Sequence, residues 1–169
     1  MNVDRKIKKE LQFLKKTIDR YIESFGVVSG GFSYNMEFYC YPDERQRVYY
    51  SPIIVNECEA SFKEMFRQLG LKEEIGIFTL SLLHEIGHCM TEEFLTKEEY
   101  DYSWEIKHEL EEGEDVTDEK RFIYYALPDE HLASMWALEY INSHLKEVRH
   151  FDNLMKKNFK SFYDRCLTR

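Results

Sequence analysis

The chain has 169 residues and a formal net charge of −9; 43% of its residues are hydrophobic and 15% are aromatic. This composition predicts one globular domain over residues 1–169 and argues against a disordered chain. The acidic balance argues against nucleic acid as a partner, and the lack of a signal peptide or a membrane-length apolar run predicts a cytoplasmic protein with no membrane partner.

The first predicted element is a long amphipathic helix over residues 3–25. Its apolar residues recur at alternating steps of four and three, which is typical of a helix with one buried stripe. Lysines and arginines interleave with that stripe and are interpreted as the solvated face of the helix rather than as a nucleic-acid-binding arm. Gly26 and the pair Gly30-Gly31 then predict the end of the helix and a loop.

A β-hairpin is predicted next, over about residues 32–55. Apolar and polar residues alternate from Phe32 to Cys40, residues 42–45 predict a turn, and a second strand follows over residues 46–55. Pro52 cannot donate to a neighbouring strand, so we expect it at the edge of a small antiparallel sheet beside the next helices. Two interpretations of this edge are open: it binds an extended substrate peptide, or proline simply blunts it.

Two helices are predicted after the hairpin. Asn56 is a favourable N-cap, Glu59 stands three residues after it and Gly70 suits a helix end, so the first should cover residues 57–69. The second should run from about residue 73 to residue 90 or 91, because its apolar residues recur on one face and no proline interrupts it.

The second of these helices carries the sequence His84-Glu85-Ile86-Gly87-His88, the H-E-x-x-H pattern of zinc peptidases. One helical turn separates the two histidines, so their Cβ atoms should lie roughly 6 Å apart on one face, which suits imidazoles that share a metal ion. Glu85 is turned by about 100° from His84, too far for a third ligand but close enough to touch a metal-bound water. We therefore predict His84 and His88 as zinc ligands and Glu85 as the catalytic base.

The alternative is a pair of core histidines satisfied by backbone carbonyls. Two imidazoles and a carboxylate inside a buried helix carry a desolvation penalty unless something pairs with them. Gly87 also favours a site, because glycine destabilises a helix interior by about 1 kcal/mol relative to alanine and a close backbone approach would explain its presence. Cys89 is interpreted as core packing, since neighbouring residues on a helix point about 100° apart.

An acidic segment follows, with thirteen acidic residues against two lysines between residues 92 and 119. Residues 92–120 hold too few apolar side chains to form a core, so the segment is interpreted as an acidic insertion or lid beside the site. A helix is predicted within it over residues 97–110 and a loop over residues 111–115. The charge is interpreted mainly as a solubility feature.

A later helix is predicted from residue 128 to about residue 147, because proline and acidic residues suit its first turn, and a last helix over about residues 151–163. A catalytic zinc usually has three protein ligands, so one must come from outside the H-E-x-x-H turn. Glu130 is the first candidate, since Ala133 one turn later would let this helix approach closely. The other candidates for the third ligand are His108, His131, Asp129 and Glu109.

One class of zinc peptidase is excluded by the residues that follow the motif. A metzincin would have glycine and histidine where Thr91 and Phe94 stand.

The later helix matches the pattern E-x-x-A-x-x-[FW]-A at Glu130, Ala133, Trp136 and Ala137. Together with the H-E-x-x-H helix, this pattern resembles the ImmA/IrrE-like metallopeptidases over about residues 48–140. The resemblance implies a mainly helical, zincin-like α+β fold in which His84, His88 and Glu130 bind zinc and Glu85 is the catalytic glutamate. Members of that family cleave repressors or regulatory proteins, so it also implies an intracellular protein substrate such as a transcriptional regulator.

The predicted function is zinc-dependent hydrolysis of peptide bonds by a metal-activated water. Glu85 would take a proton from that water and return it to the leaving nitrogen. Three residues near Glu130 in the sequence are candidates to stabilise the oxyanion: His131, Tyr124 and Tyr125. The alternative is a zincin-fold binding protein that cleaves nothing, and Glu85 argues against it because a structural zinc needs no base.

Overall fold

The computed structural model of the chain describes residues 2–32, 40–42, 46–51, 59–111 and 117–166. In chain order the elements are α1 (Asn2–Glu23), β1 (Val28–Phe32), β2 (Cys40–Pro42), β3 (Arg47–Tyr50), α2 (Glu59–Gln68), α3 (Ile77–Thr91), α4 (Lys97–Glu111), α5 (Asp118–Tyr125), α6 (Pro128–Ser143) and α7 (Leu145–Cys166). The predicted α+β class, dominated by helices, is confirmed. Among the described residues, every helix is too short or too polar to span a lipid bilayer.

The helices predicted from periodicity are present, but their ends differ from the prediction. α3 begins at Ile77, later than expected, because Gly76 is extended at φ −66° and ψ 150° and forms the N-cap. The helix predicted over residues 128–147 stops at Ser143, where His144 leaves the helical conformation, and α7 starts directly afterwards. α5 has no counterpart in the prediction, because its eight residues carry no clear periodic stripe.

The sheet is mixed, which corrects the predicted antiparallel sheet. β2 and β3 pair antiparallel, but β1 lies on the other side of β3 and runs parallel to it. This parallel pairing joins strands that are not neighbours in the chain, so alternation along the sequence does not reveal it. Residues 33–39 of the first predicted strand, the turn at residues 43–45, and Pro52 and Asn56 lie outside the described residues.

β1 contains two glycines, and for this reason the sequence predicts a loop there instead of a strand. A Cβ on Gly30 would lie 2.6 Å from the ring of Tyr49, so only glycine lets that ring cross the strand. Gly31 has φ +82° and follows an irregularity in the pairing with β3, the geometry of a bulge. The glycines therefore belong to a bulged edge strand.

α3 lies at the centre of the core and packs on two sides. One buried cluster joins it to α1, β3 and α7 and includes Leu14, Ile18, Tyr50, Leu82, Ile86, Phe151 and Met155. A second joins it to α2, α6 and α7 and includes Phe66, Leu80, Leu83, Ala137, Ile141 and Val148. Each fully buried side chain of this size contributes about 1.5–3 kcal/mol, so α3 is held firmly in place.

A buried carboxylate from α7 holds the start of α3. Asp152, 3% exposed, accepts hydrogen bonds from the backbone N–H of Gly76 at 3.0 Å and from the Thr79 hydroxyl at 2.7 Å. Lys156, one turn further along α7, pairs with its second oxygen at 2.6 Å. The carboxylate thus satisfies the N–H of the N-cap residue and complements the helix dipole. In many other helices this role belongs to a side chain adjacent to the helix in sequence.

A second polar cluster ties α1 to the sheet. Asp19 on α1 accepts hydrogen bonds from the hydroxyls of Ser29 at 2.5 Å and Tyr50 at 2.6 Å and pairs with Lys15. Burial raises the pKa of Asp19, but these donors outweigh it and hold the pKa below the ordinary value. Four basic residues of α1 are exposed, as predicted for its solvated face: Lys9, Lys15, Lys16 and Arg20.

Candidate metal centre

The two histidines of the H-E-x-x-H turn face one side of α3, as their spacing predicts. Their ring centroids are 4.7 Å apart and the ring planes are nearly perpendicular, at 84°. The side chain of His84 is 3% exposed, whereas that of His88 is 19% exposed. One imidazole therefore lies within the core and the other lies at the opening of the site.

The third member of the group comes from the first turn of α6. Glu130 is buried; its Oε2 lies 2.9 Å from Nε2 of His84 and its Oε1 lies 3.5 Å from Nε2 of His88. One potential ligand atom from each of the three residues lies within 4.8 Å of the others, and this group could hold a metal ion.

The other candidates for a third ligand are placed elsewhere. Of the residues the structure describes, His84, His88 and Glu130 alone make up a group of this kind. His108, Glu109 and His131 are exposed. Asp129 is next to Glu130 but is directed at a lysine.

Gly87 explains how α6 comes so close to α3. A Cβ at this position would lie 2.5 Å from the carbonyl oxygen of Ala133 and 3.1 Å from its Cα. Ala133 and Ala137, one turn apart on α6, are fully buried. The close backbone approach predicted from Gly87 and Ala133 is therefore present, and it brings Glu130 to the histidines.

His84 is held on its other side by a hydroxyl that the sequence did not single out. Ser134 Oγ lies 3.0 Å from Nδ1 of His84, and both residues are buried. With a metal on Nε2, the proton of the neutral imidazole would be on Nδ1 and would be donated to the Ser134 hydroxyl, which would fix the ring. The ring of Phe62 packs edge-on against His84 at 5.4 Å. Ser134 lies one turn after Glu130, and this spacing is the only feature of the sequence that indicates its contact with the site.

The charges of the three residues are strongly coupled. Burial raises the pKa of Glu130, but His88 and His84 outweigh it and hold the pKa well below its usual range. Burial lowers the pKa of His88, but the Glu130 carboxylate raises it to about 9. The carboxylate is thus stabilised as an anion by positive charge where a metal ion would lie.

Glu85, next to His84 on α3, is partly exposed and lies outside this group of three. Burial raises the pKa of its carboxyl, and the positive charges of His84 and His88 act in the opposite direction. A carboxyl of raised pKa is a better proton acceptor than an ordinary surface glutamate.

Lys107 from α4 also reaches the site. Its Nζ lies 2.6 Å from Oε1 of Glu130, pairs with Asp129 and lies 5.0 Å from the centroid of the Tyr124 ring. Burial lowers the pKa of Lys107, but the two carboxylates raise it above the ordinary value. Lys107 is one of two lysines between residues 92 and 119. This rarity is the only feature of the sequence that indicates a role for it at the site.

The three predicted oxyanion candidates are separated by the fold. Tyr124 lies against Glu130, and burial, followed by the charges of Glu130 and Glu85, raises its pKa. Tyr125 turns toward α2, where its hydroxyl is 3.5 Å from that of Ser61. His131 is exposed, whereas its neighbour Glu130 is buried. Tyr124 is the neutral hydroxyl nearest the site among these three.

Comparisons with known proteins add no family to this description. No protein-family model matches the chain, and neither the search of curated proteins nor that of solved structures found a match.

Proposed function

We propose that the protein is a zinc-dependent metallopeptidase. The observation that carries the proposal is the buried group of His84, His88 and Glu130, whose ligand atoms lie within 4.8 Å of one another. Glu85 adjoins this group as a carboxyl with a raised pKa. Three protein ligands beside a separate carboxylate suit a catalytic zinc better than a structural one, which is usually enclosed by four.

The donor atoms and charges favour a divalent metal of zinc's type. Two imidazole nitrogens and one carboxylate oxygen form a ligand set typical of zinc peptidases. With Glu130, the site holds three carboxylates, the other two being Glu85 and Asp129, and one ammonium group, Lys107. With both imidazoles neutral, as metal ligands are, the formal charges leave two negative charges, which one divalent cation would balance.

Each of the residues at the site has its own role in the proposed hydrolysis of a peptide bond. A bound zinc ion would supply Lewis acidity to water and to the substrate carbonyl. Glu85 accepts a proton from the attacking water and delivers it to the leaving nitrogen as the peptide bond breaks. Ser134 keeps the His84 ring in the orientation that the site requires. Tyr124 offers a neutral hydroxyl donor for the developing oxyanion.

The proposed substrate is a regulatory protein inside the cell, such as a transcriptional regulator. This part of the proposal rests on the resemblance of Glu130, Ala133, Trp136 and Ala137 to the second motif of ImmA/IrrE-like metallopeptidases. The same resemblance supports a cytoplasmic location.

The deciding test is Glu85→Gln, which removes the base and nearly keeps its shape. Zinc content should stay close to that of wild type, while cleavage of unfolded proteins should fall by at least about 10²-fold. Glu139→Gln, an exposed glutamate on α6, is the matched control and should keep full activity. Equal cleavage by wild type and Glu85→Gln would exclude the proposed mechanism.

A binding protein of the same fold is the second candidate, and one observation favours it. Both carboxylate oxygens of Glu130 already have partners from the protein, His84 and Lys107. A site satisfied in this way can persist without catalysis. A partner that binds wild type and Glu85→Gln equally and is never cleaved by zinc-loaded protein would establish this candidate.

A further inference from the structure

We propose that Lys107 is a positioning residue of the metal centre, which ties α4 to Glu130 and holds that carboxylate toward the histidines. This role rests on the proposed metal site and adds a residue from the acidic segment to it. It also makes the affinity for metal depend on whether α4 is docked.

The contacts of Glu130 show how its orientation is set. Lys107 Nζ lies 2.6 Å from Oε1, while Oε2 lies 2.9 Å from Nε2 of His84. Oε2 thus faces α3, whereas Oε1 binds Lys107 of α4 and also lies 3.5 Å from Nε2 of His88. A carboxylate held at one oxygen by a charged donor can present the other to a metal without free rotation, which is how outer partners orient ligands.

The burial of the pair makes the contact strong. The Lys107 side chain is 22% exposed and that of Glu130 is 4% exposed. Water screens such a pair far less than an exposed one, so the geometry is held more tightly than at a surface ion pair. Lys97 on the same helix provides the contrast, because it is 84% exposed and pairs with the exposed Asp101 four residues later.

Little else fixes α4 in place. Its one fully buried residue in the described structure is Ser103, one turn before Lys107 on the same face. Its large aromatic side chains point outward, with Tyr100 at 45% exposure and Trp104 at 63%, whereas Ile106 and Leu110 are half-buried. Because apolar burial contributes little here, the ion pairs of Lys107 with Asp129 and Glu130 supply the specific attachment to α6.

Two effects of a lysine at this position oppose each other. Its positive charge would repel a metal ion, whereas its hydrogen bond orients a ligand. Asp129 also pairs with Lys107, so one carboxylate offsets the ammonium charge and orientation prevails. Loss of a partner of this kind typically weakens metal binding by about 10–100-fold.

The test compares zinc affinity in three variants by titration of chelator-stripped protein. Lys107→Met, similar in length but uncharged, should bind zinc at least about tenfold more weakly. Lys107→Arg keeps a charged donor and should restore most of the affinity, a rescue that loss of packing alone would not show. Lys97→Met is the matched control on α4 and should bind like wild type.

Hydrogen exchange and amine labelling measure the docking of α4 independently of metal and of catalysis. Amides of α4 should exchange faster in stripped Lys107→Met than in wild type or Lys97→Met. In wild type, acetylation of Lys107 should be slower than that of Lys97. This labelling keeps the inference testable even if Lys107→Met does not fold.

The outcomes separate the inference from the proposed function. If wild type binds no zinc, the metallopeptidase proposal and the positioning role both fail. If wild type binds zinc and Lys107→Met binds it equally well or more tightly, only the positioning role fails. Acetylation of Lys107 as fast as Lys97 would likewise overturn it.

Discussion

Gly87→Ala tests the closest contact between the two helices that carry the proposed ligands. The new Cβ would lie 2.5 Å from Ala133 O, a backbone atom that no side-chain rotation can move. Ordinary van der Waals contact for a Cβ begins at about 3.4 Å, so α6 would have to move away by about 0.9 Å at this point. Overpacking of this kind destabilises by about 1–3 kcal/mol, which outweighs the ~1 kcal/mol that alanine gains over glycine in a helix.

The same displacement should damage the metal centre. Gly87 lies between His84 and His88, and Ala133 lies between Glu130 and Ser134, so separating the helices draws the ligands apart. Metal-ligand distances tolerate only about 0.2 Å of error. We expect zinc affinity to fall by at least about tenfold, which is the loss of affinity typical when a residue that orients a metal ligand is removed.

Thermal unfolding and zinc titration of purified Gly87→Ala measure both effects. Ser81 is a half-buried residue on the same helix, so Ser81→Ala is the control. It should change neither the stability nor the zinc affinity strongly. Adding Ala133→Gly should not rescue the variant, because the clash is with backbone atoms. A variant with wild-type stability and wild-type zinc affinity would refute the close approach of α3 and α6.

Three further predictions follow from individual contacts. The proposed ligands are His84, His88 and Glu130, and an alanine variant at each should lose most of the zinc measured by metal analysis. His131→Ala should retain its zinc. Ser134→Ala should bind zinc about 10–100-fold more weakly with its fold intact by circular dichroism, and unchanged affinity would show that the hydroxyl does not orient His84. Asp19→Asn should lower stability at pH 7 by about 1–3 kcal/mol, because buried donors lose their charged acceptor. The pKa of Asp19 is lowered in the fold, so its stabilisation is present above about pH 4 and is lost as pH falls through the folded-state pKa. The difference between wild type and Asp19→Asn in thermal unfolding should therefore shrink toward pH 2, and a constant difference would contradict this assignment.

Local patterns in the sequence determined most of the helices, though not α5, and the core of the site. Periodicity alone predicts α1 and α3, since a buried stripe repeats every three or four residues along one helix. The spacing of His84 and His88 places both imidazoles on one face because a helix turns once in 3.6 residues. Gly87 and Ala133 predict a close approach from their small size, which is how Glu130 could be selected from five candidates.

Tertiary structure alone decided the contacts between distant parts of the chain. The parallel pairing of β1 with β3, the Asp152 carboxylate at the start of α3, and Lys107 on Glu130 each join residues far apart in sequence. A helical or alternating pattern reports only whether a side chain faces the core or the solvent. In the sequence, Lys107 is one more charge on an exposed helix. Only the packing of α4 on α6 gives its ammonium group two carboxylates to bind, the buried Glu130 and the half-buried Asp129.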